Sequence, residues 1–201
     1  AVIANVSQPG KYVVLEYERI YDDVDDTHPA YRAIRTLSAR HVLRGVSSGR
    51  FDPDGTLTRA QLIALIVRAA GLKPHSPAAA AFDDVADDAW YAEAVAAAFE
   101  AGIVRGKGPN AFAPDDPVSR EEAAVILLRA HMRVTGRTPP AEGEAFDDDD
   151  QISAWARKAV RQARAAGLLD GRGDGSFAPA AAMTRAEGAR IILNWMELLS
   201  R

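Results

Sequence analysis

Three short segments of the sequence place an arginine where it could recognise an anion. In each segment a Thr or Ser precedes the arginine, and a Glu or Gln stands three residues after that hydroxyl residue: Thr58–Gln61, Ser119–Glu122 and Thr184–Glu187. This order is typical of a capping box, in which the hydroxyl accepts from the third helical amide and the Glu or Gln side chain accepts from the cap amide. Each cap stabilises its helix by about 1 kcal/mol. The segments therefore predict three helix starts, each with an arginine at the first helical position.

An arginine at that position needs a reason, because a cation at the positive end of the helix dipole is unfavourable by about 0.3–1 kcal/mol. One interpretation is that each arginine pairs with an aspartate, either Asp22, Asp83 and Asp147 or the residue that follows each of them. The other is that the arginine and the exposed amides of the helix start form an anion site, with the guanidinium forking onto a carboxylate or phosphate. Both can hold at once. The three arginines are Arg59, Arg120 and Arg185.

The arginines belong to a longer pattern that occurs three times. An aromatic residue followed by two aspartates begins each copy, at Tyr21, Phe82 and Phe146, and a glycine follows 24, 24 and 25 residues later. From that glycine an aromatic lies 6 residues on, a proline 2 further, and the hydroxyl-Arg pair 5 further, in all three copies. Self-similarity at a fixed period indicates a repeat architecture. The three glycines are Gly45, Gly106 and Gly171.

Each repeat is predicted to contain two helices joined by a loop. The first helix covers residues 28–40, 89–101 and 153–166, with apolar residues at helical spacing. The second covers 58–70, 119–133 and 184–199 and is apolar over most of its circumference, which is typical of a buried helix. Because one repeat could not bury such a helix, the three are expected to fold as one all-α, pseudo-threefold bundle. Gly102 and Gly167 can end first helices in the left-handed conformation, whereas repeat one has His41 there.

The repeats divide the chain into four segments. Residues 1–20 do not fit the repeat; Lys11–Tyr17 is predicted to be a short extended segment and the tail of an upstream domain. Repeat one with its linker covers 21–81, repeat two with its linker 82–145, and repeat three 146–201. The linkers, Gly71–Ala81 and Val134–Ala145, are rich in Pro, Gly and small residues.

Composition excludes several classes of function. The 201 residues carry 24 Lys and Arg against 28 Asp and Glu, a net charge of −4, which argues against nucleic-acid binding. No apolar run approaches the ~20 residues that cross a bilayer, and there is no cysteine for thiol chemistry. The four histidines lack metal-ligand spacing, and Asp147–Asp150 lacks the alternate ligands of a calcium loop. We find no catalytic motif and expect no enzyme activity, cofactor or metal.

The repeated pattern resembles the S-layer homology family, over three successive modules from Tyr21 to about Leu199. The resemblance implies a three-pronged helical domain of an exported bacterial protein. Such a domain holds its protein non-covalently at the cell wall by binding secondary cell-wall polysaccharide, often through pyruvylated N-acetylmannosamine. The family's arginine, which binds in grooves between repeats, corresponds to Arg59, Arg120 and Arg185.

The resemblance extends to other residues of these grooves, each with an alternative role. Gly45, Gly106 and Gly171 match a loop glycine beside the groove, where a side chain would block the sugar, although a turn with positive φ would also require glycine. Trp90 and Trp155 match an aromatic that could stack on a sugar, or pack in the core. Repeat one has Pro29 at that position, so we expect grooves that contain Arg120 or Arg185 to bind better than one that relies on the aromatic of repeat one.

We therefore predict a monomeric anchoring module at the bacterial cell surface that binds a pyruvylated or related anionic wall glycan. Two other functions remain open at this point. One is a protein–protein module that assembles a surface layer and has no specific glycan site, and the other is a polysaccharide-degrading domain, for which the sequence offers no motif.

Overall fold

The predicted helix-loop-helix repeats are present. The computed structural model describes residues 20–74, 82–140 and 143–200. The segment Lys11–Tyr17 and most of the first linker lie outside the described residues. The α-helices are α1 Tyr31–Ala39, α2 Arg59–Ala70, α3 Ala92–Glu100, α4 Arg120–Thr135, α5 Ala154–Ala165 and α6 Arg185–Leu199, with a 3-10 turn at Asp149–Gln151. The described residues contain no strand, only three isolated antiparallel bridges, so the all-α prediction is confirmed.

A ring of three backbone hydrogen bonds joins the repeats at the centre of the molecule. The amide of Leu57 donates to the carbonyl of Met183 at 2.9 Å, the amide of Met183 to Val118 at 2.9 Å, and the amide of Val118 to Leu57 at 3.0 Å. Each of these residues stands directly before an N-cap. Because the third repeat bonds back to the first, the ring is closed and the repeats are related by a pseudo-threefold axis.

Each second helix packs against the first helix of the next repeat. The helix α2 contacts α3, α4 contacts α5 and α6 contacts α1, while α2 also contacts α4 and α6. A prong of the molecule therefore contains helices from two repeats, as is expected when a single repeat cannot cover its own apolar helix. The core includes one buried loop aromatic from each repeat: Phe51, Phe112 and Phe177.

The helix ends follow the local chemistry of the sequence. All three predicted capping boxes form, at Thr58, Ser119 and Thr184. His41 adopts φ 58°, as Gly102 and Gly167 do at 71° and 66°, so repeat one ends its first helix in the same way. A non-glycine residue in this conformation costs roughly 1–2 kcal/mol. The helix α4 is longer than predicted and runs to Thr135, into the predicted second linker.

Candidate functional site

Each arginine reaches into the loop of the next repeat rather than into its own. The Nε of Arg59 donates to the carbonyl of Phe112 at 3.0 Å, and its Nη2 donates to Arg105 at 3.3 Å. The equivalent bonds of Arg120 go to Phe177 at 2.6 Å and Asp170 at 3.1 Å, and those of Arg185 to Phe51 at 2.9 Å and Arg44 at 3.0 Å. The arginines therefore connect repeat one to two, two to three, and three to one.

The same guanidinium groups are buried against aromatic rings. Their carbon atoms lie 5.0, 5.1 and 4.6 Å from the ring centroids of Phe112, Phe177 and Phe51. Residues Arg59, Arg120 and Arg185 are only 5%, 9% and 8% exposed. Burial lowers the pKa of each, and neighbouring carboxylates partly oppose it. The Nε and Nη2 donors of each arginine and one face of its guanidinium therefore hold neighbouring repeats together.

The predicted anion site with exposed helix amides is wrong, because those amides are already bonded. The first two amides of each second helix donate to carbonyls of the next repeat, and the third donates to the cap hydroxyl. In α2, for example, Arg59 donates to Asp116 and Ala60 to Pro114, both at 3.0 Å, while Gln61 donates to Thr58 at 3.3 Å. A ligand in the groove can meet side chains of these helix starts but not their first amides.

The predicted pairing of each arginine with an aspartate is also wrong. No ion pair joins the three arginines to these aspartates in the described ranges. The second aspartate of each pair instead binds two loop amides of its own repeat; Asp84 accepts from Phe112 at 2.8 Å and Ala113 at 2.7 Å. Ala113 has φ 59°, as do Asp52 and Ala178 at 63° and 54°. Burial raises the pKa of the Asp84 carboxyl, but these hydrogen bonds outweigh it and hold the pKa below its ordinary value. Asp23 and Asp148 make the same contacts.

The loop glycines are required for close packing, and the positive-φ explanation is wrong for them. None of Gly45, Gly106 and Gly171 has a positive φ. A Cβ on Gly106 would lie 2.6 Å from the carbonyl oxygens of Ala111 and Gly108 and 3.0 Å from the Phe82 ring. A side chain here would displace the loop whose carbonyls receive the arginine, besides narrowing the groove that the glycine lines.

In the described residues each of the three arginines lines a groove between repeats, and we name each groove after its arginine. The Arg185 groove encloses about 310 Å³, the Arg59 groove about 560 Å³ and the Arg120 groove about 570 Å³, which is within the range of small-molecule sites. Trp90 lines the Arg185 groove and Trp155 the Arg59 groove. Both tryptophans are 60% exposed, so the core-packing alternative is wrong for them. Gly45, Gly106 and Gly171 line the Arg185, Arg59 and Arg120 grooves in that order.

The grooves differ in the group that faces the remaining nitrogen, Nη1, of the arginine. In the Arg120 groove Nη1 donates to Glu187 at 3.2 Å, and in the Arg59 groove it lies 3.6 Å from a carboxylate oxygen of Glu122. The equivalent residue of the Arg185 groove is Gln61, and among the described residues the Nη1 of Arg185 has neither a hydrogen bond nor an ion pair. The Arg120 groove contains Pro29 and no aromatic residue among its lining residues. The prediction that this groove does not depend on the missing aromatic of repeat one is therefore wrong.

Two further positions, which the sequence reasoning missed, add charge to two of the grooves. Arg44 and Arg68 line the Arg185 groove, and Arg105 and Arg129 stand at the equivalent places of the Arg59 groove. In the Arg120 groove those places hold Asp170 and Asn194. The repeat spacing could have identified both positions, because the first arginine of each pair directly precedes the loop glycine and the second stands ten residues after the N-cap.

The acidic residues and the helices of the described ranges form neither a metal-binding cluster nor a membrane span. Across the described ranges no cluster of three or more His, Asp or Glu residues is arranged to hold a metal ion. In the acidic run, Asp149 instead pairs with Arg161 at 2.6 Å. None of the described helices is both long enough and apolar enough to span a bilayer.

Comparison with known proteins places this arrangement in a family. The S-layer homology domain matches residues 20–63, 81–124 and 145–189. The chain is 36% identical over 194 residues to an amylopullulanase of Thermoanaerobacterium thermosulfurigenes, covering 96% of the chain and 10% of that protein. It is 35% identical over 185 residues to Exoglucanase XynX of Acetivibrio thermocellus, covering 92% and 17%. A surface-layer 125 kDa protein of Lysinibacillus sphaericus is 32% identical over 171 residues, covering 84% and 14%.

The chain thus spans between a tenth and a fifth of the length of these relatives, and its three matched segments coincide with the three structural repeats. The chain belongs to the S-layer homology family, and it is a cell-wall anchoring module of an exported, cell-surface protein.

Proposed function

We propose that the module anchors its protein by binding secondary cell-wall polysaccharide through a pyruvylated N-acetylmannosamine residue in the inter-repeat grooves. The observation that carries the proposal is an exposed tryptophan beside a buried guanidinium, both in one groove. A pyruvate ketal adds one carboxylate to a largely neutral sugar. Such a ligand needs a flat apolar surface for its ring and a fixed cation for its charge, and these two grooves offer both.

The proposed roles of the side chains follow from their contacts. Trp90 and Trp155 present indole faces to the sugar, since each residue is 60% exposed and lines a groove. Arg59, Arg120 and Arg185 supply a cation whose position is fixed, because two donors of each are bonded to a neighbouring loop. Gly45, Gly106 and Gly171 keep each loop close to its aromatic ring and leave the groove open.

The proposed module performs no chemistry on the glycan and acts as a monomer. Its central hydrogen bonds are made within one chain, and the third repeat closes on the first. The relatives named as an amylopullulanase and an exoglucanase support a role as the anchoring part of a longer exported protein.

Calorimetry with wall polysaccharide, native and chemically depyruvylated, tests the proposal. We expect binding to native polymer, and a loss of most of the affinity when pyruvate is removed. Equal binding to both polymers would refute a carboxylate-directed site. Sedimentation of the free chain tests the monomer, and concentration-dependent self-association would favour the alternative of a protein–protein assembly module.

A further inference from the structure

We propose that the three grooves are unequal and that the Arg185 groove is the principal site for the acidic sugar, with Gln61 as the residue that decides this preference. The inference deepens the proposed function and rests on it. It concerns which of three related grooves receives the carboxylate, and which side chains of this chain make the difference.

The guanidinium groups of the three grooves differ in how much of their hydrogen-bonding capacity the protein already uses. In the Arg59 and Arg120 grooves a glutamate already faces Nη1, so a ligand carboxylate would have to compete with a carboxylate fixed by the protein. In the Arg185 groove the same helix position carries Gln61, whose Oε1 accepts from the Thr58 amide at 3.2 Å and so completes the capping box. The cap is therefore kept while the negative charge is removed, which leaves one donor of Arg185 for an external anion.

The walls of the grooves also differ in charge. The lining of the Arg185 groove has three arginines, Arg44, Arg68 and Arg185, and no Asp or Glu. The nearest acidic residues, Asp52 and Asp23, act on the pKa of Arg185 from outside this lining, and Arg50 is paired with both of them. Burial lowers the pKa of Arg68, and the nearby charge of Arg44 lowers it further. Arg44 and Arg68 repel each other, and an anion placed between them would relieve that repulsion. The Arg59 groove has a similar pair, but Glu122 and the ion pairs of Lys107 with Asp116 and Glu122 place carboxylates beside it.

The grooves differ, finally, in their apolar surface. The Arg185 groove joins the exposed Trp90 to the aliphatic side chains of Leu43, Val46 and Leu65. A pyruvate ketal carries a methyl group next to its carboxylate, so this wall suits it better than a polar one. The Arg120 groove has no tryptophan, and Asp170 and Asn194 stand where the other grooves have the arginine pair. Its other arginines, Arg32, Arg172 and Arg190, share the lining with the carboxylates of Asp170, Glu187 and Glu197.

The test uses a disaccharide with a terminal pyruvylated N-acetylmannosamine, its depyruvylated form, and the whole chain with single substitutions. Gln61→Glu should weaken binding of the pyruvylated disaccharide at least tenfold, and its fold should survive because the other two repeats carry Glu at this position. Arg68→Ala should weaken binding more than Arg129→Ala, its counterpart in the Arg59 groove. Arg137→Gln, which changes the net charge by the same amount as Gln61→Glu outside the lining of all three grooves, should bind like the unsubstituted chain. Glu122→Gln should strengthen binding in the weaker Arg59 groove, because it frees Nη1 of Arg59.

The outcomes separate this inference from the proposed function. If the unsubstituted chain binds the two disaccharides equally, the proposed function fails. If it prefers the pyruvylated form but Gln61→Glu keeps its affinity, or if Arg129→Ala costs as much as Arg68→Ala, the preference for the Arg185 groove is refuted and the anchoring site stands.

Discussion

Replacing Arg120 by alanine should destabilise the whole module, whether or not a ligand is present. Arg120 makes three hydrogen bonds, to the carbonyls of Phe177 and Asp170 and to the Glu187 carboxylate. It also stacks on the Phe177 ring at 5.1 Å. Truncation leaves two inward-facing carbonyls and a carboxylate without this donor, and the gap lies at the junction of repeats two and three.

The size of the loss follows from these contacts. Each hydrogen bond to a charged group contributes about 1.5–3 kcal/mol, but the bonds are not additive because water can enter from the groove. Breaking one partner of a buried charged pair costs about 3–5 kcal/mol, and we adopt that range for Arg120→Ala. Since 1 kcal/mol shifts the melting temperature of a chain of this size by roughly 2–4 °C, the expected fall is roughly 6–20 °C.

Urea and thermal unfolding followed by circular dichroism at 222 nm measure this loss directly. The matched control is Arg190→Ala, an exposed arginine of α6 in the same groove, which should stay within about 0.5 kcal/mol of the unsubstituted chain. Arg120→Lys should recover only part of the stability, because an ammonium cannot donate to both carbonyls in the fixed fork of a guanidinium. If Arg120→Ala melts together with Arg190→Ala, the arginine does not hold the repeats together and the reasoning fails.

Three further predictions concern the loop and the groove wall. The free energy of unfolding should decrease when the pH is lowered below about 4, because two loop amides hold the pKa of Asp84 below its ordinary value in the folded chain. The ionised carboxyl stabilises the fold at pH values above the ordinary pKa, and this stabilisation is lost as the pH falls through the lower pKa of the folded state. Urea melts from pH 7 to 2 should show a flatter profile for Asp84→Asn, and parallel profiles would contradict the role assigned to this carboxylate. Gly106→Ala should lower stability by about 1–3 kcal/mol through overpacking, since its Cβ would lie 2.6 Å from two carbonyl oxygens, and a denaturant midpoint unchanged from the parent would refute the close-packing explanation. Trp90→Ala should change the free energy of unfolding by less than about 1 kcal/mol, because the residue is 60% exposed, but it should weaken glycan binding in calorimetry. A large loss of stability with unchanged binding would show that Trp90 packs in the core and does not contact the glycan.

The features that the sequence predicted well are local ones. A capping box involves four consecutive residues, so Thr58, Ser119 and Thr184 could be identified as N-caps without any knowledge of the fold. The second helices were apolar over most of their circumference, and their burial followed from that pattern. His41 was noted as a departure from Gly102 and Gly167, and the structure shows that it adopts the same left-handed conformation.

The failed interpretations of the arginines and of the helix amides depended on contacts between distant parts of the chain. Arg59 bonds to Phe112, which is 53 residues away, and nothing in the segment around Arg59 indicates that partner. The helix amides were taken as exposed because the carbonyls that cover them come from the next repeat. The spacing of Trp90 left sugar stacking and core packing open, and only the folded chain shows that the residue is exposed.

The structural and binding roles of these arginines are therefore not alternatives, because they use different parts of one guanidinium. In all three repeats Nε and Nη2 donate to carbonyls of the neighbouring loop. These hydrogen bonds fix the orientation of the guanidinium and hence the direction of Nη1. A cation held in this way needs little reorganisation when an anion arrives, so less binding energy is lost on ordering it. What then distinguishes the grooves is the residue opposite Nη1, which is a carboxylate at Glu122 and Glu187 and an amide at Gln61. A change between Glu and Gln at this position replaces one oxygen by a nitrogen. It can therefore alter the affinity of a groove for an acidic glycan while the same side chain still completes the capping box.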